Sequence, residues 1–261
     1  FIKTTQAWIP PSEFLIKKVA VKKNRLKSAY VSTKVNLINK DLKELGVYFV
    51  EDTFYRRSNN SLSSVVLNES GEVLFRASRQ LDDKAITEGS FAKAVNLISF
   101  HNSSDLLVQS LMDLQLPVLQ EESLLALETE KDRRVAEKTH LQRLEGKVAW
   151  VIAEDLLDAS KPQLWVEKNT FYPRKLYFKD GSKSVEVVFN QFRYYQNFPY
   201  ANEVIFLLEN FGIKSEVNQL VINKQPKGDL FEVKGQGFTS LGLELEGEVK
   251  SLIESYFSYL R

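Results

Sequence analysis

Pro162–Tyr195, PQLWVEKNTFYPRKLYFKDGSKSVEVVFNQFRYY, decides the fold class of this chain. Leu164 and Val166 alternate with Trp165 and Glu167, and Leu176 and Phe178 with Lys175, Tyr177 and Lys179. Val185, Val187 and Phe189 then share a face opposite Glu186 and Asn190. A period of two bounded by Asn, Asp, Gly and Ser is the pattern of half-buried strands joined by tight turns, so the stretch reads as a three-stranded antiparallel meander with one apolar side.

The same rhythm extends outward. Toward the N-terminus, Val31, Thr33, Val35 and Leu37 face one way and Ser32, Lys34 and Asn36 the other. Leu45 to Arg57, Ser63 to Leu67 and Glu72 to Ala77 continue as strands, with turns at Asn59-Asn60 and Ser70-Gly71. On the other side, Thr139 to Leu144 and Gly146 to Glu154 precede the meander, and Asn202 to Asn210 and Val217 to Asn223 follow it. Helical spacing interrupts this pattern in three places. Ser12 as N-cap opens EFLIKKVAVKKNRLK, with Phe14, Leu15, Val19 and Leu26 as its apolar stripe and its lysines read as a solvated face. Between about Asp82 and Leu116, two short helices carry Ala94, Leu97 and Ile98, then Leu106, Leu107, Leu111 and Leu114, and Pro117 ends the second. Near the C-terminus, Val249, Leu252, Ile253, Tyr256 and Phe257 form the apolar side of a last helix. Helices on a mostly β chain must bury their stripes against the sheet, which makes the 82–116 segment a plug or lid over its concave face.

The expected architecture is therefore mainly β (α+β): a large antiparallel half-open β-barrel of about ten strands, with helices covering the concave face. Residues 1–235 form this domain, and 236–261 are a helical tail too small to fold alone. The chain begins with Phe1 rather than Met, so an N-terminal piece, a signal peptide being one candidate, is expected to have been removed by processing or deliberate truncation.

Composition narrows the function classes. Lys and Arg number 35 against 34 Asp and Glu, so no surplus of positive charge points to nucleic acid. Cys is absent, which excludes thiol nucleophiles, disulfides and thiolate metal sites. His101 and His140 stand outside any metal-ligand spacing, and His140 reads as a surface or satisfied histidine. No GxSxG elbow, phosphate-binding glycine loop or GxGxxG occurs, and Gly235-Gln236-Gly237 is a flexible connector. The adjacent acids Glu51-Asp52, Asp82-Asp83 and Glu121-Glu122 point to opposite faces where they lie on strands, and solvated turns account for most such pairs. An enzyme is not expected, nor a cofactor or metal. The 17 Phe, 10 Tyr and 3 Trp, many on strands, suit either a ligand-holding barrel or a filled core, and periodicity leaves the two open.

Several motifs in order add to this reading: VAEKTHLQRLEGKVAWVIAE, PQLWVEKNTFYPRKLYF, VEVVFNQFRYYQNFPYANEVIF and LVINKQPKGDLFEV, preceded by YVSTKVNL and GVYFVEDTFYRR. Over most of Ser12 to Val233 the chain resembles the outer-membrane lipoprotein carrier superfamily, which includes the carrier LolA, the receptor LolB and the regulator RseB. The resemblance implies a periplasmic protein of the Gram-negative envelope that takes acyl chains of lipoproteins or other lipids into an apolar hollow without covalent chemistry. It implies as partners an inner-membrane releasing complex or an outer-membrane receptor, and a monomer as the working form. The alternative within the same fold is an RseB-like sensor or protein-interaction module. Candidate lining residues are Val31, Val35, Phe49, Trp150, Trp165, Leu176, Phe178, Val187, Phe189 and Phe206. By the same resemblance, Arg56 or Arg57 corresponds to the arginine that holds the lid closed. The strand here lacks the proline that precedes that arginine in the carrier.

Overall fold

A computed structural model describes residues 9–80, 95, 98–100, 104–118 and 138–223, with Gly247, Lys250, Leu252, Ile253 and Tyr256, apart from the single positions 24, 60, 72, 159 and 181. The described residues form one antiparallel sheet of eleven strands. They are β1 (Ser28–Asn39), β2 (Glu44–Arg56), β3 (Ser61–Leu67), β4 (Val73–Gln80), β5 (Thr139–Leu144), β6 (Lys147–Ala153), β7 (Gln163–Glu167), β8 (Pro173–Asp180), β9 (Lys183–Tyr195), β10 (Phe198–Leu208) and β11 (Phe211–Ile222). Across the sheet the order is β4-β3-β2-β1-β11-β10-β9-β8-β7-β6-β5, with no pairing between the two ends. The barrel is thus half open. Strands of this number and twist curl rather than lie flat.

The meander of the sequence reading is β7-β8-β9, with Leu164 opposite Leu176 and Leu176 opposite Val187, so the three strands present one continuous apolar row. Its extension is the pairing of the first strand with the last, Ala29 against Ile222 through Asn39 against Phe211. That pairing joins the 28–80 half to the 138–223 half into a single sheet.

Two helices have described ends: α1 (Ser12–Val21) and α2 (Ser104–Asp113), which pack against each other. Val95 and residues 98–100 are helical as well, as are the described residues of the C-terminal segment. The expected N-cap of α1 is shifted by one residue. Pro11 occupies that position with an extended backbone, and Ser12 is the first helical residue, buried and not capping. Proline fits the start of a helix because the N–H it lacks would go unpaired there. The helix also ends at Val21 rather than running to Lys27.

Candidate functional site

Period-two alternation gives β1–β3 and β6–β11 one face toward the helices. On that face Val35, Phe49, Val66, Trp150, Ile152, Leu164, Val166, Leu176, Phe178, Val185, Val187, Phe189, Phe206 and Ile213 join one apolar cluster. The helices contribute Leu15, Ile16 and Val19 from α1, Val95 and Ile98, Leu107, Val108 and Leu111 from α2, and Leu252, Ile253 and Tyr256 from the C-terminal segment. Among the described residues, helical side chains therefore fill the hollow. A shallow recess with room for about 10 Å³ of water-sized guest lies beside Lys23, Ile98, Phe189 and Phe192. That is far below the ~300–1,000 Å³ of an ordinary ligand pocket.

Eight of the ten candidate lining residues, Val35, Phe49, Trp150, Leu176, Phe178, Val187, Phe189 and Phe206, meet in this cluster. Val31 belongs to a second cluster with Leu26, Ala29, Tyr55, Leu62, Phe100, Phe198 and Ile222. Trp165 lies apart from both. It alternates with the inward Leu164 and Val166 and is half-buried on the other face, where its Nε1 donates to Gln163 Oε1 at 3.0 Å. A tryptophan in a strand carries no sign of its face beyond the parity of its neighbours, and Leu164 and Val166 supply that sign here. Arg56 closes β2 opposite Ser28 and Ser61, and Arg57 follows it, its N–H bonded to the Lys27 carbonyl.

Between the two apolar clusters the inner face turns polar, in register on four neighbouring strands. On β1, Thr33 lies between Val31 and Val35, and on β2, Glu51 and Thr53 lie between Phe49 and Tyr55. On β3, Ser64 lies between Leu62 and Val66, and on β11, Ser215 lies between Ile213 and Val217. Cross-strand pairing places Thr33 opposite Glu51, Thr53 opposite Ser64 and Val35 opposite Ser215, so these side chains form a belt across the hollow. All are buried, and Glu51 is 0 % exposed. Thr53 Oγ1 and Ser64 Oγ share a hydrogen bond at 3.3 Å, and Thr33 Oγ1 donates to the Glu51 carbonyl at 3.3 Å. Tyr256 reaches the belt from the C-terminal segment: its hydroxyl donates to Glu51 Oε2 at 3.0 Å and lies 3.0 Å from Ser215 Oγ. A phenol has one proton, so Ser215 is the donor in that second bond. The Tyr256 ring meets Phe206 edge-on at 5.8 Å.

Glu51 and Asp52 point to opposite faces of β2, as expected for neighbours on the strand read over Leu45 to Arg57, and Glu51 is the one buried on the inner face. The lysines after α1 correct the sequence reading. Lys23 is buried, donates to the Ile98 carbonyl, and has its pKa lowered to about 7, chiefly by burial and then by the charge of Lys22. Lys22 donates to the Thr170 carbonyl and lies 4.6 Å from the centre of the Tyr172 ring. Early termination of α1 explains both, because it turns these residues out of the helix's solvent face. His140 sits on β5 opposite Val151, with Nε2 buried and unpartnered among the described residues. His101, Asp82-Asp83, Glu121-Glu122 and Gly235-Gln236-Gly237 lie outside the described residues. Among the described residues no group of three or more His, Asp or Glu side chains is placed to hold a metal ion, and no helix is long and apolar enough to cross a membrane.

Fold and site together define a half-open antiparallel β-barrel whose apolar hollow is occupied by its own helices. No family model and no curated protein matches this chain. Among solved structures it is similar to a putative outer membrane lipoprotein-sorting protein domain from Vibrio parahaemolyticus, at 10% identity and a TM-score of 0.47, over 84% of this chain and 95% of that one. It is similar to the LolA superfamily protein NE2245 from Nitrosomonas europaea, at 10% identity and a TM-score of 0.46, over 85% and 97% of the two chains. A DUF1329 family protein from Desulfovibrio piger is similar at 11% identity and a TM-score of 0.41, over 85% and 98%. Likeness at this level transfers no function.

Proposed function

We propose that the protein is a non-enzymatic carrier, periplasmic as its sequence resemblance implies, that holds the acyl chains of lipoproteins or other lipids in the hollow of its sheet. One observation carries this reading: the larger apolar region of the concave face is covered, among the described residues, by separate helical segments that meet it through apolar side chains. Such segments can be exchanged for a ligand without breaking a single strand pair. Moving an acyl chain from water onto that face gains ~0.8 kcal/mol per CH₂, so about ten methylenes offset several helix side chains returned to water. The buried Lys23 and Glu51 support the reading, since a hollow packed for stability alone has no use for either group.

A second reading keeps the helices in place and makes the fold a protein-interaction module. The closely filled hollow favours it, together with Leu42, Leu45 and Tyr48, large apolar side chains exposed where β1 turns into β2. Native mass spectrometry of the purified protein, with organic extraction of anything released, separates the two. Fatty-acyl species that co-purify, and that are lost in a folded Phe189→Asp variant, support the carrier. A bare mass that persists after incubation with phospholipid or an acylated peptide would rule the carrier out and leave the interaction module.

A further inference from the structure

One end of the sheet, where β7 turns into β8 and β9 nears its close, carries a run of aromatic rings interleaved with lysines. The Phe14 ring on α1 meets Phe171 edge-on at 6.4 Å, and Lys18 Nζ lies 5.1 Å from the centre of the Phe14 ring. Lys22 Nζ lies 6.0 Å from the centre of the Phe171 ring and 4.6 Å from that of Tyr172. Tyr172 stacks on Phe192 at 4.3 Å and donates from its hydroxyl to that of Tyr194 at 2.5 Å. We infer that this band is a membrane anchor, which seats this rim of the sheet in the headgroup layer of an anionic lipid bilayer. The inference goes beyond the carrier reading and stands whether the hollow holds lipid or only its own helices.

A single exposed ring is ordinary, but rings in unbroken contact make a patch. Tyr194 is 68 % exposed, and Phe14, Phe171 and Phe192 are half-buried. The backbone adds a second sign. The β7–β8 turn is closed by the Phe171 N–H on the Glu167 carbonyl and the Glu167 N–H on the Tyr172 carbonyl, both at 2.8 Å, with Phe171 at φ 52°. Glycine would close the same turn without strain, so the Phe171 ring is kept at a cost that the turn does not require. Charge names the partner. Residues 12–27 hold six lysines and arginines against one acid, Glu13, which Lys17 neutralises at 2.9 Å. Lys168 is exposed in the turn itself, and the neighbouring Glu167 is matched by Lys147 at 3.2 Å and Arg174 at 3.8 Å. The band therefore joins apolar rings to surplus positive charge. At a bilayer surface the two act together: rings settle at headgroup depth while lysine stems lie along them and the ammonium groups reach lipid phosphates. Phe192 also lines the shallow recess, so the anchored rim borders the hollow.

Flotation of the full chain with vesicles tests this, one set of phosphatidylcholine alone and one of equal parts phosphatidylcholine and phosphatidylglycerol. The wild type is expected to float with the anionic vesicles, not with the neutral ones, and to come off as salt screens the attraction. Lys18→Glu changes two charges and is expected to weaken binding about 10- to 30-fold. Tyr194→Ser is expected to weaken it about 3- to 10-fold. Both side chains are exposed, so both variants should keep the wild-type circular dichroism. Leu157→Ser is the control: Leu157 is 94 % exposed in the β6–β7 loop, at the other end of β7 from the band, and its loss should leave flotation unchanged. Equal flotation with both vesicle types, or binding that neither Lys18→Glu nor Tyr194→Ser weakens, overturns the anchor. Failure to float with either set overturns it too, and dimers that Tyr194→Ser dissociates would then make the band an interface between copies. A chain that co-purifies with acyl species but floats with neither set keeps the carrier reading and loses the anchor. One that floats with anionic vesicles and takes up no lipid does the reverse.

Discussion

Lys23 and Tyr55 show what two single side chains contribute at the ends of the hollow. The Lys23 pKa falls to about 7 in the folded chain against an ordinary 10.5, so between these values the unfolded state binds the extra proton. Stability from this group is therefore lowest below pH 7 and rises with pH toward 10.5. Tyr55 acts in the opposite sense higher up. Burial, only partly offset by the charge of Arg57, pushes its pKa to about 12, and an acid whose folded pKa is raised loses stability as pH climbs above its ordinary value of 10. The window that isolates Lys23 is pH 7 to 10. Thermal melts across it should show a wild-type midpoint climbing relative to Lys23→Met, with a difference on the order of a few kcal/mol between the ends. Parallel curves for the two proteins would show that Lys23 is charged in the fold. Tyr55 offers a second measurement, because its hydroxyl is buried without a hydrogen-bond partner among the described residues while its ring stacks on Phe100 at 5.4 Å. Tyr55→Phe keeps the stack and removes the unsatisfied oxygen, so it should leave the protein as stable or stabilise it by about 1 kcal/mol, near 2 °C for a chain of this size. A clear loss of stability would reveal a partner for that hydroxyl. Neither role can be read in the sequence, where Lys23 is one of several lysines in a row and Tyr55 one aromatic among many.

Elements were far more legible than residues. Every strand announced by alternation exists, because a half-buried strand writes its two faces directly into the order of residues. Their ends were less legible: β10 begins at Phe198 and β11 at Phe211, several residues before the apolar pattern becomes regular. The β9–β10 hairpin shows why. Tyr195 pairs with Phe198 across Gln196-Asn197, and both turn residues have positive φ, 49° and 67°. Asparagine tolerates that conformation and signals a turn, but glutamine does not, so the hairpin was half hidden. Gln196→Gly should relieve the strain and stabilise the protein by about 0.5–1 kcal/mol, measured as a shift of the urea midpoint at constant slope. A drop in the midpoint would show that the Gln196 side chain makes a contact worth more than the strain. Among the helices, α1 is held by Leu15 and Ile16, both fully buried under the sheet. Leu15→Ala should cost about 2–5 kcal/mol if α1 is an integral part of the core. A value below that range, with the near-ultraviolet spectrum of the sheet unchanged, would mark α1 as a segment that can lift while the sheet stays folded.

At the scale of the whole molecule, the sequence showed that one sheet face is apolar but not that it is crossed by a polar belt. Serine and threonine in a strand are ordinary residues, and the belt exists only because pairing brings Thr33 to Glu51, Glu51 near Tyr256 and Ser215 beside Val35, contacts between residues as much as 205 positions apart. Long-range register of this kind leaves no local trace in a sequence. The same architecture sets what opening must look like. The eleven strands are joined by continuous backbone ladders, whereas the described residues of α1, α2 and the C-terminal segment meet the sheet through side chains, so among the described residues the boundary between helices and concave face is weaker than any within the sheet. A lipid entering the hollow should then separate the two layers without loosening either sheet half. Amide exchange followed with and without a long-chain alcohol tests this: faster exchange over Ser104–Asp113, with protection in β9, β10 and β11 unchanged or higher, is the expected pattern. Uniform protection of helices and sheet on adding lipid would mean that the ligand binds outside the hollow. Faster exchange in the strands would mean that the sheet itself opens, in which case the helices are part of the core and not its cover.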